Sequence, residues 1–130
     1  MILTSGQVKQ LIAQARRDAP NETCGIIGGT QNRARKIYPL TNTHATPRVN
    51  FYADPLELFN AFRNIEAHRW EHLAIYHSHC ASAAYPSATD VARAFYPDVT
   101  YLLISLADPE QTMVRGFRIV DGKVTENTLE

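Results

Sequence analysis

The chain carries its reactive side chains in one run, His77-Ser78-His79-Cys80-Ala81-Ser82-Ala83-Ala84-Tyr85-Pro86-Ser87-Ala88-Thr89-Asp90. The apolar segment Leu73-Ala74-Ile75-Tyr76 leads directly into the first histidine, which puts both histidines at the exit of a buried strand. Side chains alternate faces along a strand, so His77 and His79 project from the same face. Pro86-Ser87 reads as a helix start, and Asp90 follows in the first turn. Two imidazoles and a carboxylate gathered by strand, loop and helix make a three-ligand set with a fourth position open. That is the arrangement of a catalytic zinc rather than a structural one. Asp90 has a competing use, because three residues after Ser87 it also fits a capping box, and the same oxygens cannot serve both roles well.

The pattern His-Ser-His, seven residues, Ser87, two residues, Asp90 resembles the signature of the JAMM (MPN+) zinc metalloprotease domain, with all four positions present. That family also needs a glutamate on an upstream strand, and Asn21-Glu22-Thr23-Cys24-Gly25-Ile26-Ile27-Gly28-Gly29 is similar to that segment. The chain departs from the family at Cys80, where proline is usual. The resemblance implies a JAB1/MPN (cytidine-deaminase-like) α/β fold, a curved mixed β-sheet flanked by helices. It implies zinc held by His77, His79 and Asp90. It also implies Glu22 as general base and acid, and Ser87 as hydrogen-bond donor to the tetrahedral intermediate. Glu22 rests on the resemblance alone, since nothing in the spacing brings it near the metal. Tyr76 to His79, Ala84 to Ser87 and Arg118 to Gly122 are further similar to the bacterial Mec-like subgroup. The implied substrate is the Gly-Gly-type C-terminal tail of a small ubiquitin-like sulfur-carrier protein, cut at a peptide or isopeptide bond, with cysteine a candidate for the released amine. The alternative from another class is a non-catalytic MPN scaffold, a module type that has usually lost the metal ligands.

Other signals carry less. His68-Arg69-Trp70-Glu71-His72 matches the inverzincin pattern HxxEH, but His72 opens a strand pattern where that motif needs one helix. The glycines of Gly25 to Gly29 lack the Gly-Lys-Ser/Thr ending of a phosphate loop, and the Pro-Cys-x-x-Cys pair of zinc deaminases is missing. Cys24 lies in an apolar strand and reads as packing. Cys80 reads as an inert side chain pointing away from His79, with a nucleophile, a fourth metal ligand or a redox brake as the alternatives.

The elements that must position these residues are legible from periodicity and caps. Val8, Leu11, Ile12 and Ala15 set a helix over 5–18, ended by Pro20. Strands follow at 23–29 and 35–40, then a polar, turn-rich stretch over 41–50. Asp54-Pro55-Leu56-Glu57 starts a helix that runs to about Arg69-Trp70. The strand 73–78 comes next, then a helix capped by Ser87 that carries Asp90, Val91, Ala94 and Phe95, then a strand over 101–106. Asp121-Gly122 joins a terminal hairpin. At 130 residues the chain is expected to form one domain, 1–130, with 45% hydrophobic residues and zero formal net charge. The charge balance argues against a nucleic-acid or anionic-membrane partner. With no signal-peptide core, no membrane span and two unpaired cysteines, the expected setting is cytoplasmic.

Overall fold

The computed structural model describes residues 1–130. Helix α1 spans Ser5–Asp18, opened by a capping box between Thr4 and Gln7. Strands β1 (Cys24–Thr30) and β2 (Arg33–Leu40) form an antiparallel hairpin. Helix α2 spans Pro55–Ala67, with Asp54 accepting the Glu57 amide at its start. Strand β3 (Glu71–His79) precedes a short helix α3 (Ala88–Ala92), and β4 (Thr100–Ser105), β5 (Met113–Val120) and β6 (Lys123–Asn127) complete the chain. The six strands make one sheet in the order β2-β1-β3-β4-β5-β6. Only β3 and β4 pair in parallel, because α3 and its flanking loops carry the chain back across the sheet. The β5–β6 turn uses Asp121 and Gly122, both at positive φ (51° and 78°).

Strand parity places the two long helices on opposite faces. Ile27 and Tyr76 pack with Leu11 and Ala15 of α1, whereas Ile26, Cys24 and Ile75 pack with Ala61 and Ile65 of α2. This is a mixed sheet flanked by helices, the α/β architecture the sequence implies. Gly25 allows a close internal approach: a Cβ there would stand 2.2 Å from the Tyr76 ring, whose hydroxyl donates to Gln14 of α1 at 2.6 Å. No helix is long and apolar enough to cross a membrane.

Two helix ends differ from the sequence reading. Helix α2 stops at Ala67, and Arg69 takes a left-handed φ of 56°, so the chain turns sharply into β3. His68 and His72 therefore sit on different elements, which removes the HxxEH alternative. Helix α3 is only five residues long and ends at Ala92, leaving Ala94 and Phe95 outside it.

Candidate metal centre

His77 and His79 both lie within β3 at its carboxyl end, on the face shared with Ile75 and α2. Their Nε2 atoms are 3.2 Å apart. Asp90, in the first turn of α3, places Oδ1 3.1 Å from His77 Nε2 and Oδ2 3.1 Å from His79 Nε2. One donor atom from each residue lies within 4.8 Å of the other two. Three donors held roughly 2.0 Å from one zinc at tetrahedral angles would stand about 3.3 Å apart, close to the spacing found here. Both histidines are buried.

The other ring nitrogen of His79 supports that fit. His79 Nδ1 lies 2.9 Å from the Ala83 carbonyl and, as donor, leaves Nε2 to face its neighbours with a lone pair. His77 Nδ1 is buried and unpartnered, and its ring is held instead by Phe51, stacked at 4.5 Å and 25°. Two imidazole nitrogens and a carboxylate converging at this distance suit a cation.

The expected competition between capping and clustering at Asp90 does not arise. Oδ2 accepts the Ser87 amide at 2.9 Å while remaining 3.1 Å from His79, and Ser87 Oγ accepts the Asp90 amide at 3.1 Å. A carboxylate has two oxygens and about four acceptor sites, so one side chain fills both roles. The box fixes the rotamer that aims Asp90 at the histidines.

Glu22 is brought to the centre by strand register. Cys24 pairs with His77 across β1 and β3, and Ser78 donates its amide to the Thr23 carbonyl, so Glu22 falls opposite His79 on the same face. It is 6% exposed and stands outside the three-residue cluster. Its backbone is pinned by the following loop: its amide donates to the Pro47 carbonyl at 2.7 Å, and Asn42 Nδ2 donates to its carbonyl at 3.0 Å. Burial, opposed by His79 and reinforced by Asp90, pushes its carboxyl up to about 7.

The electrostatics of the metal-free cluster follow from the same contacts. Burial works against Asp90 ionisation, but hydrogen bonds from His77 and His79 overcome it and hold the carboxyl well below its usual range. Burial lowers the His77 pKa, partly offset by Asp90. At His79 burial is outweighed by the hydrogen bonds to Asp90 and Ala83, and the net shift is upward.

Cys80 is not part of the cluster. Its thiol donates to the Asn21 carbonyl at 3.4 Å and burial raises its pKa, so it is neither turned to the histidines nor present as thiolate. Burial pushes Cys24 up to about 12, as a packed thiol requires.

Two contributors escaped the sequence reading. Phe51 is one apolar residue in a polar stretch, with no periodicity to mark it. Asn42 organises that stretch, its amide group donating to the carbonyls of Glu22 and Asn50 and accepting the amides of His44 and Tyr52. An asparagine in a turn-rich segment was its only signal.

Comparison with known proteins gives a consistent picture. A family model described as prokaryotic homologs of the JAB domain matches residues 4–120. The CysO-cysteine peptidase of Mycobacterium tuberculosis is 40% identical over 132 residues, covering 99% of this chain and 89% of that protein. A probable TtuB-protein conjugate cleaving protease of Thermus thermophilus is 36% identical over 118 residues, covering 91% and 75%. The solution structure of protein DSY2949 from Desulfitobacterium hafniense superposes with a TM-score of 0.89 at 37% identity, covering 100% of this chain and 92% of that one.

Proposed function

The chain belongs to the prokaryotic homologues of the JAB domain, and from that footing we propose that it is a zinc-dependent hydrolase of conjugates made by small ubiquitin-like sulfur-carrier proteins. The bond cut is the peptide or isopeptide bond after the carrier's Gly-Gly-type tail, with cysteine among the amines released. Relatives named as a CysO-cysteine peptidase and a TtuB-conjugate protease support this substrate class.

His77, His79 and Asp90 are the proposed ligands. Zinc, when bound, supplies Lewis acidity that polarises the scissile carbonyl and makes hydroxide available near neutral pH. Glu22 takes the proton of the attacking water and delivers it to the leaving amine. In the metal-free protein burial lifts this carboxyl to about 7, toward the range in which one group can both accept and return a proton. Ser87 uses an oxygen lone pair for the Asp90 amide, which leaves its hydroxyl proton free to donate to the developing oxyanion.

The observation that carries this reading is the register that sets a buried carboxyl across from a three-donor cluster without making it a fourth donor. The test is incubation of the zinc-loaded protein with a small sulfur-carrier protein extended beyond Gly-Gly by one residue, read by mass spectrometry. Loss of that residue, abolished in Glu22→Gln, is the expected result. An intact carrier in the presence of stoichiometric zinc would refute the reading and turn attention to the scaffold alternative.

A further inference from the structure

An apolar cavity of about 470 Å³ opens beside the metal centre, within the size range of small-ligand sites. Phe51, Tyr101 and Arg93 line both this cavity and the cleft that contains His77 and Asp90. Leu58, Phe62 and Ile75 form part of its wall, and the exposed rings of Tyr52 and Phe95 flank it. Arg93 is the only cationic side chain in either lining.

Arg93 lies three residues after Asp90, one helical turn on, where an ion pair between the two would be expected. None forms. Asp90 is committed to the histidines and the Ser87 amide, and the ion pairs of the protein leave Arg93 out. Arg93 is exposed, so its guanidinium is a solvated charge with no protein carboxylate on it, at the rim shared by the metal centre and the apolar cavity.

We propose that this cavity and Arg93 form the subsite for the leaving residue, selecting an apolar amino acid that ends in a free α-carboxylate. The proposal rests on the Gly-Gly-tail reading above and adds the identity of what is cut away. Glycines have no side chains with which to fill an apolar cavity, and this one adjoins the metal centre, which suits it to the residue beyond the scissile bond. In a terminal α-linked residue the carboxylate carbon is two bonds from the leaving nitrogen, within reach of a cation beside the metal ligands. A guanidinium grips such a carboxylate through paired hydrogen bonds. An isopeptide offers no match, because a lysine side-chain amine carries its backbone several bonds away with no free carboxylate. Hydrolysis then consumes one water, breaks the C–N bond, and leaves a carboxylate on the tail and a free amino acid in the subsite. The size of the cavity favours an aromatic or branched residue over cysteine.

The test uses synthetic peptides ending in Gly-Gly-Phe with a free carboxylate, the same peptides as carboxamides, and Gly-Gly linked to a lysine side chain. Zinc-loaded protein is expected to prefer the free acid over the amide by tenfold or more in kcat/KM, with Phe ahead of Cys at the last position. In Arg93→Gln the acid-to-amide ratio should fall to near one, and Arg93→Lys should restore part of it. Calorimetric titration with phenylalanine and phenylalaninamide should give the same ranking without turnover. A ratio near one in the parent protein, a ratio that survives Arg93→Gln, or preference for the lysine-linked substrate would overturn the subsite while keeping Gly-Gly hydrolysis. Failure to cut any Gly-Gly substrate would overturn the underlying reading and this one with it.

Discussion

Glu22→Gln is expected to stabilise the metal-free protein at alkaline pH while it stops turnover. The carboxyl is 6% exposed, and its pKa rises from 4.5 to about 7 on folding. Because the folded value lies above the unfolded one, the folded state holds the proton more tightly. The group therefore costs nothing well below pH 4.5, and its penalty grows as pH rises from 4.5 through 7. Above that the penalty is constant. A displacement of this size corresponds to about 3 kcal/mol between pH 4.5 and 8.5. Glutamine keeps the shape and has no charge to bury, so the variant should gain that amount over the parent protein at pH 8.5 and little at pH 4.5. For a chain of this length it amounts to roughly 10 °C in melting temperature. The assay is urea unfolding of both proteins in chelator at the two pH values, the difference between them cancelling the titrating groups that do not interact with Glu22. Parallel pH profiles would refute the reasoning, since they would mean that Glu22 ionises in the fold as it does in water. Stability given up for a poised acid–base group is a known feature of active sites.

Ser87→Ala should cost about 1 kcal/mol of stability through loss of the cap on the Asp90 amide, seen in denaturant melts. It should also slow turnover by about a hundredfold or more if the hydroxyl donates to the oxyanion; a rate near that of the parent protein would leave Ser87 as a cap only. Phe51→Ala removes the ring stacked on His77 and should weaken zinc affinity by about tenfold in competition with a fluorescent chelator. Unchanged affinity would show that β3 alone orients that imidazole. Zinc affinity should also fall as pH drops, because the His79 proton that the metal must displace is held more tightly than usual, and pH-independent binding would contradict that.

Local rules were enough for much of this protein and failed where contacts are distant in sequence. Helix α1, the Asp54 cap of α2 and the Asp121-Gly122 turn follow from side chains close to one another in sequence. His77 and His79 share a face by strand parity, and that needs no tertiary information. At Asp90 the capping and clustering roles look exclusive in the sequence, which shows one carboxylate and not its lone pairs: Oδ1 faces His77, and Oδ2 serves both His79 and the Ser87 amide. Glu22 could not be placed from spacing at all: its position comes from the β1–β3 register, in which residue 24 meets residue 77. The apolar pattern runs past the end of α3 because Ala94 and Phe95 continue it from outside the helix, Ala94 against the Val99, Tyr101 and Ile119 cluster and Phe95 exposed at the cavity. Phe51 and Asn42 sit in a stretch without periodicity, where only the folded loop reveals what they touch.

The most direct measurement is the zinc content of the reconstituted protein beside His79→Ala, by elemental analysis after exhaustive dialysis. The account predicts about one zinc per chain in the parent protein and essentially none in the variant, both remaining folded. A variant that retains its zinc, or a parent protein that takes up none, would contradict the assignment of His77, His79 and Asp90 as the metal ligands.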